Sequence, residues 1–405
     1  MLRDAGRLGF GLLVFLLPFA AHADQPPRLI AHADGIPGEY IVALNRGLPA
    51  EEVDAVVAEL SQRFDGEILQ QYRNVFPGFA VRLSDTQAAA LSLHPSVALV
   101  EQNLRVVASG VQSNPPNWAL DRIDQRPAAL DASYTYNSTG SGVNVYVVDS
   151  GIRFDHTEFG GRAVFAADFV NDGFNGWDCY GHGTNVAGVI GGATYGVAKQ
   201  ATLHSVRVIG CQPSPASDIA RIISAFDWLI THHVKPAVVN ASFNYWQPAP
   251  PNTQCANQQP HALMNGAADA LIAAGVPLVN SSGNQACAVN SAPATADPNV
   301  IVVGATWWNG VDRYLSNTAW GADVYAPGSN LLTAASTSPL AVSYFSNTSA
   351  AAAVVSGVVA RYLQTHPTAT PAQVEGYILT TATWGVIQGV PGTSGALLIY
   401  ADPLL

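Results

Sequence analysis

The sequence predicts an α/β protein: a doubly wound, mostly parallel sheet preceded by a small α+β domain. Three observations carry this. Beyond about residue 140, short and near-continuous apolar runs alternate with segments of helical periodicity, as in parallel sheets covered on both faces. Between about 24 and 108 the order of elements reads β-α-β-β-α-β. Only 12% of the 405 residues are charged while 48% are hydrophobic, so a large core can be buried and wholesale disorder is excluded.

The elements follow in order. Arg3 and Arg7 precede an apolar run, Leu8–Ala20, and then Ala21-His22-Ala23. This is the pattern of an export signal, residues 1–23, cleaved after Ala23. The run of about 13 residues is short of the roughly 20 that span a bilayer, and no later run is long enough, so no membrane anchor is expected. Residues 24–110 form the small domain. Tyr40–Leu44 reads as a strand. Pro49–Leu60 reads as a helix with Val53, Val56, Val57 and Leu60 on one face. Strands Glu67–Tyr72 and Gly78–Leu83, a helix Ser84–Leu93 and a strand Val97–Glu101 complete a ferredoxin-like order. The polar stretch Ser109–Pro116 reads as an exposed linker.

The second domain, 111–405, carries strand candidates at Val143–Val148, Leu203–Ile209, Ala237–Ser242, Val276–Val279, Val300–Ala305 and Ala322–Tyr325. Ser217–Ile230 keeps helical spacing through Ile219, Ile222, Ile223, Phe226, Leu229 and Ile230. Thr370-Pro371-Ala372-Gln373 opens a late helix with a capping box and proline in its first turn. In such sheets ligands sit at the carboxyl ends of strands.

Three polar residues stand in places that matter. Asp149 ends the first of these strands, at the sheet rim. His182 lies among small residues in Gly181-His182-Gly183-Thr184-Asn185-Val186-Ala187-Gly188, suited to close packing at a helix start. Ser349 precedes an apolar run to Leu363 that reads as a buried helix, whose N-terminus favours developing negative charge. Each alone has a bland reading, as a turn, a packed histidine or a cap. Together they supply a nucleophile, a base and a carboxylate to orient it.

The net charge is −11, with 18 basic and 29 acidic residues, and no basic cluster exists, so a nucleic-acid partner is excluded. Gly191–Gly196 is glycine-rich but fits neither nucleotide-binding fingerprint. The four cysteines fall into two halves of equal spacing, Cys179 with Cys211 and Cys255 with Cys287. In an exported chain they read as two disulfides; spacing alone leaves three connectivities open.

The chain resembles the secreted subtilisin-like serine proteases of the proteinase K and aqualysin branch. The match runs through Leu120–Arg126, Val147–Ile152, Gly181–Thr184, Thr194–Lys199, Ser282-Gly283-Asn284, Ser316-Asn317, Ala326-Pro327-Gly328 and Thr348-Ser349. The resemblance implies a secreted endopeptidase, made as an autoprocessed zymogen, that cuts protein or peptide substrates through an acyl-enzyme. In it Asp149 orients His182, His182 is base then acid, and Ser349 attacks. Asn284 stabilises the oxyanion. Ser242, Phe243, Asn244, Ser281, Ser282 and Gly283 bind substrate. It also implies the pairs Cys179–Cys211 and Cys255–Cys287. The small domain becomes a propeptide that chaperones and inhibits its own enzyme and is cut between about Ala108 and Ser113. The enzyme is expected to work as a monomer. No catalytic cofactor is implied, but structural calcium is, at Asp121, Asp124, Gln125, Asp131 and Asp323.

Departures from the family cluster around the chemistry. Asn185 stands where a second histidine is usual, Asn347 replaces a glycine, Ala350 replaces a methionine, Ala353-Val354 replaces Pro-His, and Ser242-Phe243-Asn244-Tyr245 replaces a glycine-ended strand. Ser281-Ser282 replaces Ala-Ala. They motivate an alternative: a catalytically weakened relative acting as a binding or scaffold protein. Three glycosylation sequons, at Asn240, Asn280 and Asn347, fall beside the proposed cleft, which favours a bacterial secretory route.

Overall fold

Valine-rich runs at the centre of the chain form a parallel sheet, in a computed structural model that describes residues 28–32, 35–45, 47–104, 110–211, 217–243, 261–289, 298–393 and 395–405. The signal segment 1–23, Asn244 and Cys255 lie outside these residues. The chain divides into two compact units between Val107 and Ala108.

In the first unit the sheet order is Leu29–Ile30, Val97–Leu104, Gly35–Leu44, Gly78–Arg82, Glu67–Tyr72. All neighbours are antiparallel except the first pair. Helices Ala50–Arg63 and Asp85–Ser92 share its core through Val53, Val57, Leu60, Ala88 and Leu91. Ser84 caps the second helix reciprocally with Gln87, which is why the predicted helix begins there. The two-residue strand Leu29–Ile30 was not foreseen; it is too short for alternation to register.

In the second unit the central order is Val324–Pro327, Val300–Trp308, Leu278–Ser281, Ala237–Ala241, Asn144–Asp149, Thr202–Arg207, Ala163–Asp168. These neighbours are all parallel. Alternation explains the continuous apolar runs. Val145, Val147, Val238, Val279 and Ile301 join one core with the helix Thr348–Thr365. Tyr146, Val148, Val239, Leu278 and Val300 join a second core with helices Ile219–His232 and Ala262–Ala273. All six predicted strands are present with ends shifted by a few residues. The strand Ala163–Asp168 was missed because it is an edge, paired on one side only, with a mixed burial pattern that hides it.

The predicted linker is corrected. Gly110–Ser113 is a strand, antiparallel to Ser133–Tyr136. Its polar composition reflects a strand exposed along one face, with Val111 59% exposed, while its partner strand buries Tyr134. Asn117 then caps the helix Trp118–Ile123. That helix carries Arg122, fully buried against the equally buried Asp312, with guanidinium–carboxylate contacts of 2.7 to 3.0 Å.

The strand order turns at one place. From Asn144–Asp149 the chain builds outward to Ala163–Asp168 and Thr202–Arg207 on one side. It then returns to Ala237–Ala241 and continues on the other side. Asp149 ends one flanking strand and Ser242 follows the other, so both stand at the crevice where doubly wound sheets bind ligands.

Candidate active site

Asp149 is fully buried at its strand end, and its Oδ1 accepts from the Ser150 N–H at 2.7 Å. His182 begins the helix His182–Gly191. Its Nδ1 lies 2.8 Å from both carboxylate oxygens of Asp149. Gly183 is what permits this approach: a Cβ there would meet the Gly151 carbonyl oxygen at 2.2 Å and Asp149 Oδ1 at 3.2 Å. The imidazole remains 22% exposed, flanked edge-on by Phe345 at 5.3 Å and face-on by Tyr180 at 6.4 Å between ring centroids. Burial pulls its pKa down. The Asp149 charge and hydrogen bond, with the Asp178 charge, more than offset this and hold it above the ordinary histidine value. A base works only when neutral. Activity is therefore expected to fall as pH drops through a midpoint above the usual histidine value of about 6.5. A kcat/KM profile on a peptide anilide checks this; an acid limb centred below that value contradicts it.

Ser349 sits in the first turn of the helix Thr348–Thr365, whose residues are buried from Thr348 to Leu363. Its Oγ donates to the Ser242 carbonyl at 3.3 Å, and no hydrogen bond joins it to His182 among the described residues. Serine–base hydrogen bonds are commonly slack before substrate binds. Asn284 is exposed beside it. Its Oδ1 accepts from the Thr348 N–H at 3.2 Å and Thr348 Oγ1 at 2.8 Å, so Nδ2 is the donor end left to face a ligand. Gly283, at φ +114°, makes the turn that presents Asn284. Such a donor, with the Ser349 N–H at the helix N-terminus, suits a developing oxyanion. Asn284→Ala is expected to lower kcat by about 10²–10³-fold with a small change in KM; steady-state kinetics read both, and a KM-only effect contradicts the role.

Asn347, before this helix, adopts φ +80°, ψ −169°, a region normally open only to glycine. It is held by Asn347 N–H to the Gly328 carbonyl at 2.7 Å and by Asn317 Nδ2 donating to its Oδ1 at 3.2 Å. Strain of this kind costs about 1–3 kcal/mol, more than an exposed hydrogen bond returns. Asn347→Gly should therefore raise stability by on the order of 1 kcal/mol, read as a higher Tm in a Ser349→Ala background; a lower Tm contradicts it. Asn185 donates Nδ2 to the Ala334 carbonyl and Ser343 Oγ at 2.7 and 2.8 Å. It ties the His182 helix to the hairpin Leu331–Ala334/Val342–Phe345.

Of the expected substrate-binding residues, Ser242, Ser281 and Ser282 are buried and Phe243 is half-buried. The amide N–H of Gly283 donates to Thr348 Oγ1 at 3.3 Å, so this segment and the Ser349 turn form one wall. Cys179 and Cys211 are bonded. Cys287 is disulfide-bonded. The residues expected to hold calcium are otherwise engaged. Both Asp121 oxygens accept backbone N–H groups, from Asp131 and Ala132. Asp131 Oδ1 accepts from Ser133, Asp323 Oδ2 from the Val302 N–H, and Gln125 donates to the Ala129 carbonyl. Of these five residues, Asp124 alone has a buried oxygen, Oδ1, without a partner, and burial, with the Asp131 and Asp121 charges, pushes that carboxyl up to about 6. No group of three His, Cys, Asp or Glu able to share an ion occurs among the described residues. As placed, this donor set does not fit calcium.

Sequence reasoning missed Asp178, Thr348 and Phe345. Asp178 stands four residues before His182, but nothing in the sequence distinguishes a buried capping aspartate from a loop one.

Residues 140–396 match the subtilase family, and residues 39–108 match the I9 peptidase inhibitor family. The chain belongs to the subtilase family and is a serine endopeptidase preceded by an I9-type inhibitor domain. It is 38% identical to an extracellular serine proteinase of Thermus sp. (strain Rt41A), over 97% of this chain and 99% of that protein. It is 32% identical to proteinase R of Parengyodontium album, over 96% and 98% respectively. Among solved structures, a cold adapted subtilisin-like serine proteinase superposes with a TM-score of 0.64 at 35% identity, covering 71% of this chain and 99% of that one.

Proposed function

We propose that this is a secreted, monomeric peptidase in which Asp149, His182 and Ser349 form the catalytic triad and Asn284 the oxyanion donor. Asp149 holds the imidazole in the tautomer that keeps its far nitrogen free. That nitrogen takes the Ser349 proton as Oγ attacks the scissile carbonyl, and returns it to the leaving amine. The acyl-enzyme is then hydrolysed by water activated the same way. The observation that carries the reading is the contact of His182 Nδ1 with both oxygens of buried Asp149, at the switch point of the sheet. Nucleophile and base both come from side chains, so no catalytic cofactor is invoked. The intact Asp149, His182, Ser349 and Asn284 weigh against a scaffold role.

Residues 1–23 direct export. The first unit serves as propeptide and inhibitor and the second as the working enzyme, the boundary lying nearer residue 108 than residue 110. Among the described residues no helix is long and apolar enough to cross a membrane, and the relatives named above include an extracellular proteinase. A bacterial route is supported by Asn240 and Asn280, sequon residues that are fully buried in strands. Because Gly110–Ser113 is paired within the second unit, release is favoured at the start of the 108–113 window. N-terminal sequencing of the secreted product tests this. A start within that window is expected; a product beginning only at Asp24 contradicts zymogen processing.

A further inference from the structure

We propose that Asp178 is a positioning residue that sets the geometry of the Asp149–His182 pair from both sides; this rests on the triad reading above. Asp178 is buried at the end of the loop that enters the His182 helix. Its Oδ1 accepts from Ser150 Oγ at 2.9 Å, and from the Tyr180 and Gly181 N–H groups at 3.0 and 2.7 Å. Its Oδ2 accepts from the Thr184 N–H at 2.8 Å and from Thr184 Oγ1 at 2.5 Å. Ser150 follows Asp149 directly, and its Oγ accepts from the Gly183 N–H at 2.9 Å. One carboxylate thus joins the strand end that carries Asp149 to the helix turn that carries His182.

The helix needs this help. It starts after Gly181, at φ +108°, with no side chain to cap it, and the first N–H groups of a helix lack internal partners. Ser150 and Asp178 supply those partners from outside, at Gly183 and Thr184. A carboxylate is also the favourable charge at a helix N-terminus.

Rigid neighbours hold the loop. Cys179 is bonded to Cys211. Arg207 donates to the Ser150 carbonyl at 3.2 Å and ion-pairs with Asp168 and Asp172 at 3.1 and 2.6 Å. After the charge and hydrogen bond of Asp149, the charge of Asp178 adds to the attraction that favours the imidazolium. The groups facing His182 are Asp149 from the strand, Asp178 and Tyr180 from the loop, and uncharged Phe345 from the hairpin.

Asp178→Asn keeps the size but removes the charge, and sets an amide donor against the N–H groups that Asp178 accepts. Ser150→Ala removes the bridging hydroxyl and no charge. Each is measured per active site counted with a fluorophosphonate, so a partly misfolded preparation does not pass as a kinetic effect. Expected for Asp178→Asn is a fall in kcat of up to about a hundredfold, with KM little changed and the acid limb of kcat/KM moved to lower pH. Expected for Ser150→Ala is a smaller fall in kcat with the limb in place, and this variant carries the test if Asp178→Asn does not fold. Wild-type kcat per labelled site in both variants overturns the proposal, as does an unmoved acid limb in a folded Asp178→Asn enzyme. Absence of wild-type labelling at Ser349 overturns the triad reading and this proposal with it. Labelling with unchanged variants overturns this proposal alone.

Discussion

Ser349→Ala is expected to lower kcat by on the order of 10⁶-fold, the scale of loss when a triad serine is removed. Without Oγ no acyl-enzyme forms. What remains is the smaller gain from binding and from the Asn284 and Ser349 N–H donors, about 10³–10⁴ over water. The three side chains act as a unit, so adding His182→Ala to Ser349→Ala should cost almost nothing more. Substrate binding should persist, because Ser242, Ser281 and the Gly283 turn are untouched. The Ser349→Ala protein should also retain residues 24–110. Kinetics on a peptide anilide, with the mass of the secreted product, check all of this. A fall of tenfold or less, or additive double-variant losses, would contradict it.

Arg122→Ala is expected to destabilise the second unit by about 3–5 kcal/mol, the cost of leaving one member of a buried pair unpaired. Arg122 and Asp312 are both fully buried. The guanidinium also donates to the Gln125 carbonyl at 2.7 Å, so it pins the helix Trp118–Ile123 and the following turn to the strand Asp312–Tyr314. Removing it strands the Asp312 carboxylate in a space that water does not reach. Replacing both partners with apolar residues of similar volume should cost much less, since the pair gives back little beyond its own desolvation. Urea unfolding in a Ser349→Ala background avoids self-digestion. A loss below about 1 kcal/mol would mean that the charge is compensated elsewhere.

The fold was legible where burial is two-sided. Val143–Val148 and Ala237–Ser242 announce themselves because both faces of those strands are covered. Ala163–Asp168 and Gly110–Ser113 were not legible, since each is paired on one side only and carries no such run. For the candidate site, Asp149, His182 and Ser349 stood out because each lies at a strand end or helix start. Asp178 did not: its importance comes from five donors that converge only after the chain folds. The calcium expectation finds no shared donor set among the described residues, for a related reason. Acids in loops look alike in sequence, and whether their oxygens are spent on backbone N–H groups is decided by turns such as Asp131–Ser133.

In the proposed mechanism Ser349 is the nucleophile, activated by His182 and Asp149. The most direct measurement is fluorophosphonate labelling of the secreted enzyme, followed by peptide mapping of wild type, Ser349→Ala and His182→Ala. One adduct per wild-type molecule is expected, at Ser349, with none in Ser349→Ala and labelling slowed by several orders of magnitude in His182→Ala. An adduct at any other serine, or wild-type labelling that His182→Ala leaves unchanged, would contradict it.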